Sequence, residues 1–174
     1  MSVLTAIAKA ESLVKTYNPE GLSPFPYKEI EKSKEDLSIY LVKLPDEVSG
    51  AIRFNKEKNK FEIFVNLIKP DTRQYFTIAH ELGHYFLHDQ IVKGQDIVVD
   101  DDNQFEVNRT LYRLDQASFS IIETEANNFA ASLIMPEYLV RKAWGSLQNV
   151  EECASLFKVS VVAMSIRLEK LHLL

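Results

Sequence analysis

The sequence predicts an α+β fold, with its strands and most of its helices in separate stretches of the chain. Segments between residues 37 and 68 have strand composition and are interrupted by a charged turn, whereas the segments after residue 71 are predominantly helical. Such an order of elements is typical of α+β architectures. The 174 residues, 46 % of them hydrophobic and 26 % charged, suffice to bury a core of ordinary size.

The first elements are a helix, a loop and a short sheet. Apolar residues recur at helical spacing over residues 3–16, which predicts an amphipathic helix. Segment 18–27 holds three of the six prolines and predicts a loop or an extended arm. The segment LSIYLVKL (37–44) predicts a strand, and GAIRF (50–54) with FEIFVNLI (61–68) predicts a hairpin.

Two long helices follow the sheet. Pro70 ends the last strand, and Asp71 with Gln74 three residues later predicts a capping box at the start of the first long helix. The second is predicted from Ser118 to Met135 and is ended by Pro136.

The long helices are separated by an acidic insert, residues 89–117, of which 91–116 predict a long loop or a short hairpin. Its acidic cluster is interpreted as a solvated face, with calcium binding as the alternative. The members of this cluster are Asp96, Asp100, Asp101 and Asp102.

Residues 1–136 are predicted to form the core domain, and 137–174 a helical, helix-turn-helix-like appendage of two or three short helices packed on it. In the segment NVEECASLFKVSVVAMSIRL (149–168), Asn149 with Glu152 predicts a capping box, and KVS predicts the turn. The second of these helices opens with Val161 and Val162, where a DNA-reading helix presents polar or basic side chains. We therefore expect contact with the core or with a partner protein, and no direct DNA binding.

Three of the four histidines lie in TIAHELGHYFLHD (77–89), on the first long helix. His80 and His84 are four residues apart, so their imidazoles lie on the same helix face and can bind one ion. Glu81 lies about 100° around the helix, beside the position of a metal-activated water. This is the HExxH arrangement, in which the glutamate accepts the water's proton as general base. The alternative is a polar helix face that carries these residues by coincidence.

The apolar neighbours of this motif favour the metal site, because burying two histidines and a glutamate without ligands or partners is costly. Gly83 costs up to about 1 kcal/mol relative to alanine inside a helix, which predicts a closely packed neighbour there. His88 lies about 12 Å along the axis from His80, too far to share one ion. We expect His88 to support a ligand or to cap the helix end.

The second long helix offers the third ligand. Glu123 borders its apolar stripe, with Asn127 one turn later, and this matches the E-x-x-x-D shape of HExxH peptidases that use a glutamate ligand. Glu125 lies about 160° from Glu123 on the other border, where we expect an exposed side chain that tolerates substitution. We take Glu123 as the third ligand, with Glu125 as the alternative. Two histidines and a carboxylate suit zinc, although manganese and iron accept the same ligands.

Together, RQYFTIAHELGHYFLH (73–88) and ETEANNFAASLIMP (123–136) closely resemble the ImmA/IrrE family of metallopeptidases. The resemblance extends to GAIRFNKEKNKFEIFVN (50–66) and CASLFKVSVVAMSIRLEKL (153–171), and covers roughly residues 25–172. Departures are Ile134, where leucine is common, and the long acidic insert.

The resemblance implies a gluzincin-like core, with a short antiparallel sheet packed on the HExxH helix and then the glutamate-bearing helix. The hairpin is expected to supply a substrate-binding edge strand. His80, His84 and Glu123 would bind one Zn²⁺, Glu81 would be the general base, and Asn127 and His88 would support the ligands. The family implies a peptidase that cuts a partner transcriptional repressor in phage, mobile-element or stress circuits, in some relatives within a toxin–antitoxin pair.

The alternative function is a metal-stabilised protein that controls a helix-turn-helix repressor by binding it without cleavage. The intact HExxH motif favours the enzyme, because a pure binder has no use for Glu81. A net charge of −5 argues against general polyanion binding. The single cysteine, Cys153, excludes an internal disulfide and a cysteine-rich zinc site. No signal-peptide pattern or apolar run of about 20 residues is found, so we expect a cytoplasmic protein.

Overall fold

The computed structural model describes residues 2–94, 98–101 and 116–174, with the backbone alone for 98–101 and 116–119. The helices of this part are α1 (Val3–Tyr17), α2 (Tyr27–Ser33), α3 (Asp71–Leu87), α4 (Asp89–Lys93), α5 (Gln116–Ile134), α6 (Glu137–Leu147), α7 (Val150–Phe157) and α8 (Val161–Lys170). Its strands are β1 (Leu37–Val42), β2 (Val48–Asn55), β3 (Lys60–Asn66) and β4 (Val98–Asp101). The predicted α+β class is confirmed.

The strands form a mixed sheet in the order β1-β3-β2-β4. The predicted hairpin is present, with β2 antiparallel to β3 and Ile52 opposite Ile63. In contrast to the expected antiparallel sheet, β1 pairs with β3 in parallel, with Leu37 opposite Phe61. The chain reverses between β1 and β2 and again between β2 and β3. After two reversals β3 runs in the same direction as β1, and because it inserts between β1 and β2, it pairs with β1 in parallel.

The expectation that the hairpin supplies an edge strand is wrong for the described chain. β2 lies between β3 and β4, and its Ala51 and Ile52 face Val99 and Val98 of β4. Part of the acidic insert therefore forms a strand, and Asp100 and Asp101 belong to it. Asp96 and Asp102 lie outside the described residues.

Helix α3 lies at the centre of the fold. It packs against β2, β3 and α5, and α5 also packs against α1. Ten of its residues are buried, among them both HExxH histidines and Glu81. None of the described helices combines the length and the apolar character that crossing a bilayer requires.

The start of α3 differs from the predicted capping box. Pro70 is the N-cap residue and makes no side-chain cap bond, while Asp71 is already helical. Pro70 has an extended ψ of 147°, so the helix begins directly after it, and Asp71 contributes a negative charge to the first turn, where the helix dipole favours it. Gln74 Nε2 instead donates to the Lys69 and Leu67 carbonyls, at 2.7 and 3.2 Å.

Three helices fill the C-terminal segment, as predicted. Asn149 Oδ1 accepts from Glu152 N at 2.9 Å, and the turn before α8 contains Lys158 in the left-handed region at φ 55°. Buried side chains of these helices, such as Met164 and Leu168, belong to the same hydrophobic cluster as residues of α1. A domain division after residue 136 stays a prediction.

Candidate metal centre

Helix α3 places His80 and His84 on one face, turned toward α5. The two side chains are buried, with exposed fractions of 2 % and 1 %. Their Nε2 atoms are 3.0 Å apart. This pairing follows from the spacing of four residues in a regular helix, since such residues lie one above the other.

Helix α5 brings Glu123 to the same point. Glu123 Oε2 lies 3.2 Å from His80 Nε2, and Oε1 lies 3.3 Å from His84 Nε2. Ligand atoms of His80, His84 and Glu123 all lie within 4.8 Å of one another. The structure therefore brings together the three residues predicted as ligands.

The spacing of these atoms fits a zinc ion. A tetrahedral site with bonds of about 2.0–2.2 Å to nitrogen and oxygen places neighbouring ligand atoms about 3.3–3.5 Å apart. The two Nε2 atoms are 3.0 Å apart, and each lies 3.2 or 3.3 Å from a different oxygen of Glu123, within a few tenths of an ångström of this spacing. Two imidazoles and one carboxylate are also a donor set that zinc accepts, with a fourth position left for water or substrate.

The environment keeps Glu123 ionised. Burial by itself would raise the pKa of this carboxyl, but the hydrogen bonds and charges of His80 and His84 outweigh it and lower the pKa below its ordinary value. Glu123 thus faces the two histidines as a carboxylate.

Asn127 lies behind His80. Its Oδ1 is 3.0 Å from His80 Nδ1, so the amide oxygen can accept a hydrogen from that nitrogen. A hydrogen on Nδ1 leaves Nε2, the atom near Glu123, with a free lone pair. Asn127 thus lies within hydrogen-bonding distance of His80, and its supporting role stays a prediction.

His88 and Glu125 form a second buried pair beside the centre. His88 ends α3, its Nδ1 lies 3.1 Å from His84 Nδ1, and its Nε2 lies 2.9 Å from Glu125 Oε2. Burial lowers the pKa of His88, and hydrogen bonding to Glu125 offsets only part of this effect. His88 is absent from the group of ligand atoms, in agreement with the distance argument.

The expectation of an exposed Glu125 is wrong. Glu125 is only 2 % exposed, and it lies against the end of α3, where its Oε2 is 2.9 Å from His88 Nε2. The signal available in the sequence was His88 itself, which lies one helical turn after His84.

Glu81 lies on the sheet side of α3 and is fully buried. Its Oε1 is next to Gly50 of β2, where a Cβ atom would lie 3.3 Å from it and would also meet the Thr77 side chain. The absence of a side chain at Gly50 thus makes room for Glu81 and Thr77. Sequence reasoning missed both Gly50 and Thr77, since the contact joins segments far apart in the chain.

Comparison with known proteins agrees with this geometry. The model of a peptidase family, Peptidase_M78, described as the IrrE N-terminal-like domain, matches residues 34–169. The chain belongs to this family. The resemblance to ImmA/IrrE metallopeptidases is thereby confirmed, and membership of a metallopeptidase family implies a metal.

Two relatives and one solved structure are informative. The chain is 27 % identical over 154 residues to metallopeptidase ImmA of Bacillus subtilis (strain 168), covering 87 % of this chain and 76 % of that protein. It is 26 % identical over 138 residues to an uncharacterized immunity region protein 2 of Bacillus phage phi105, covering 79 % and 71 %. A Mycobacterium tuberculosis transcriptional regulator has a similar fold, with a TM-score of 0.66 and 16 % identity over 97 % of this chain. The chain spans 47 % of that regulator's length, and the likeness shows the fold alone.

Proposed function

We propose that the chain is a zinc-dependent endopeptidase that cleaves, and so inactivates, a partner transcriptional repressor. The observation that carries this proposal is the meeting of His80, His84 and Glu123, with donor atoms 3.0–3.3 Å apart, beside the buried Glu81. The name of the Bacillus subtilis relative, a metallopeptidase, supports peptide hydrolysis.

In this mechanism His80, His84 and Glu123 would hold the ion. A bound Zn²⁺ would supply a Lewis acid and would lower the pKa of water toward about 7. Glu81 accepts the proton of the attacking water as general base and then donates it to the leaving amine nitrogen as the peptide C–N bond breaks. Asn127 holds His80 in the tautomer that leaves Nε2 free.

A protein partner is consistent with the net negative charge of the chain and with the exposed apolar residues of α8. The net charge of −5 disfavours phosphate backbones. Val161 and Val162, at the start of α8, are 44 % and 68 % exposed, which suits a protein contact better than DNA. The phage relative is named an immunity region protein. The partner class we propose is a helix-turn-helix repressor of an immunity or toxin–antitoxin circuit. Such a repressor places the reaction in the cytoplasm.

The experiment compares wild type, Glu81→Gln and Glu57→Gln, each incubated with purified helix-turn-helix repressors encoded in the same genome. Glu57 is an exposed glutamate in the hairpin turn and serves as the control. Glutamine at position 81 preserves the shape and removes the base, so cleavage should fall by about 10²–10⁴ while zinc content stays at the wild-type level. Glu57→Gln should cut at the wild-type rate.

A non-proteolytic binding partner is the competing function. Wild-type protein that holds the repressor tightly and leaves it intact would establish that function and contradict the peptidase. Full cleavage by Glu81→Gln would remove Glu81 from the mechanism.

A further inference from the structure

A buried chain of hydrogen bonds leads from His84 to the carboxylate of Glu125. His84 Nδ1 lies 3.1 Å from His88 Nδ1, and His88 Nε2 lies 2.9 Å from Glu125 Oε2. His88 and Glu125 are 4 % and 2 % exposed. This series of hydrogen bonds thus begins on α3 and ends on α5, inside the interface of the two helices.

The two imidazoles determine each other's tautomer. His84 Nε2, which lies 3.3 Å from Glu123 Oε1, binds a metal only without a hydrogen. The hydrogen of a neutral His84 is then on Nδ1, and His88 Nδ1 has to accept it. A neutral His88 therefore has its own hydrogen on Nε2, where Glu125 Oε2 is the acceptor. Both hydrogen bonds are therefore donated in the direction from His84 to Glu125.

We propose that Glu125, acting through His88, is a positioning residue that fixes the tautomer and ring orientation of His84 for metal binding. This inference rests on the proposed metal centre. Carboxylates that accept from a metal-ligating histidine orient the ring and raise its basicity. Here a second histidine relays that effect, so the acid is one residue further away.

The two ligand histidines are consequently supported in different ways. His80 Nδ1 lies 3.0 Å from the neutral amide oxygen of Asn127. His84 instead contacts His88, which in turn contacts the carboxylate of Glu125. Loss of Glu125 should therefore change the environment of His84 and leave the His80–Asn127 bond intact. If the His88–Glu125 pair only held the two helices together, its loss would lower the stability but would not affect His84 more than His80.

The first test measures Zn²⁺ affinity by competition with a chromophoric chelator, together with thermal unfolding of the metal-free protein. Glu125→Ala should bind zinc about 10–100-fold more weakly than wild type. Glu125→Gln should show a smaller loss in the same direction, because an amide oxygen still accepts a hydrogen bond. Glu62→Gln is the matched control, since Glu62 is a carboxylate 2 % exposed whose ion-pair partners are Arg53 on β2 and Lys58 in the hairpin turn. It should lose stability and keep wild-type zinc affinity.

The second test reads the tautomers by ¹⁵N NMR of the histidine rings in zinc-loaded protein. Wild type should carry hydrogens on His84 Nδ1 and His88 Nε2, and Glu125→Gln should shift the His84 and His88 resonances while those of His80 stay unchanged. This measurement holds even if Glu125→Ala fails to fold.

Wild-type zinc affinity in Glu125→Gln and Glu125→Ala would overturn the positioning role alone, as would a hydrogen on His88 Nδ1 in wild type. A wild-type chain that binds no zinc would overturn the proposed function and this inference together.

Discussion

Gly83 of α3 and Ala126 of α5 meet backbone to backbone: a Cβ at Gly83 would lie 3.1 Å from Ala126 Cα and 3.3 Å from its carbonyl oxygen. His84 follows Gly83 directly, and Glu123 lies one turn before Ala126. The close approach of the two helices therefore sets the distance between the histidines and Glu123, the proposed third ligand. The close packing that the sequence predicts at Gly83 is confirmed.

Gly83→Ala should lower both the melting temperature and the zinc affinity. Alanine is favoured over glycine in a helix by up to about 1 kcal/mol, but here its methyl meets backbone atoms that cannot move aside without separating α3 from α5. Gly145→Ala on α6 is the control, because nothing lies within 4 Å of a Cβ there. That change should leave zinc affinity unaltered and be neutral or stabilising. Thermal unfolding and zinc titration of both variants check this, and matching results would contradict a tight α3–α5 contact.

Gly50→Ala should impair catalysis more than metal binding. The new methyl would press against Thr77, lie 3.0 Å from the Phe64 carbonyl oxygen and 3.3 Å from Glu81 Oε1. It would displace Glu81 while the proposed ligands, which face α5, remain in place. Cleavage rate and zinc content, measured on the same preparation, separate the two effects.

A double variant combines Gly50→Ala with Thr77→Ser. The serine lacks the methyl group that the new Cβ at position 50 meets, and it keeps the hydroxyl. Partial recovery of cleavage is expected in the double variant. Unimpaired cleavage in Gly50→Ala alone would show that the space at position 50 is not needed.

Glu62 should contribute stability that is lost in acid. Burial alone would raise the pKa of its carboxyl, but hydrogen bonds from Arg53, Lys58 and Asn55 lower it below the ordinary value. The unfolded chain therefore binds a proton more readily, so this contribution is full above the unfolded pKa and disappears as the pH falls through the folded pKa. Urea unfolding should show a larger deficit of Glu62→Gln relative to wild type at pH 7 than at pH 3.5. An equal deficit at both values would contradict the shifted pKa.

The HExxH helix was predictable because its information is local. The spacing of His80 and His84 places them on one face whatever surrounds the helix, and the apolar neighbours indicate burial. Glu123 could be selected in the same way, from its place beside the apolar stripe of α5. Features that depend on one helix alone were therefore accessible from the sequence.

Features that depend on two or more elements were not accessible. The burial of Glu125 depends on its pairing with His88 at the end of α3, and no spacing within α5 reports on that partner. The parallel pairing of β1 with β3 and the position of β4 beside β2 depend on how segments far apart in the sequence pair with one another. The contact of Gly50 with Thr77 and Glu81 joins a strand to a helix across the core.

The metal content of purified protein tests the central claim most directly. Wild type should hold about one equivalent of zinc, and His80→Ala and Glu123→Ala should each lose most of it, because each removes one of three protein ligands. The control is His172→Ala, since His172 is exposed and lies in the C-terminal segment. It should keep the wild-type content. Elemental analysis that finds equal zinc in wild type, His80→Ala and Glu123→Ala would contradict the site.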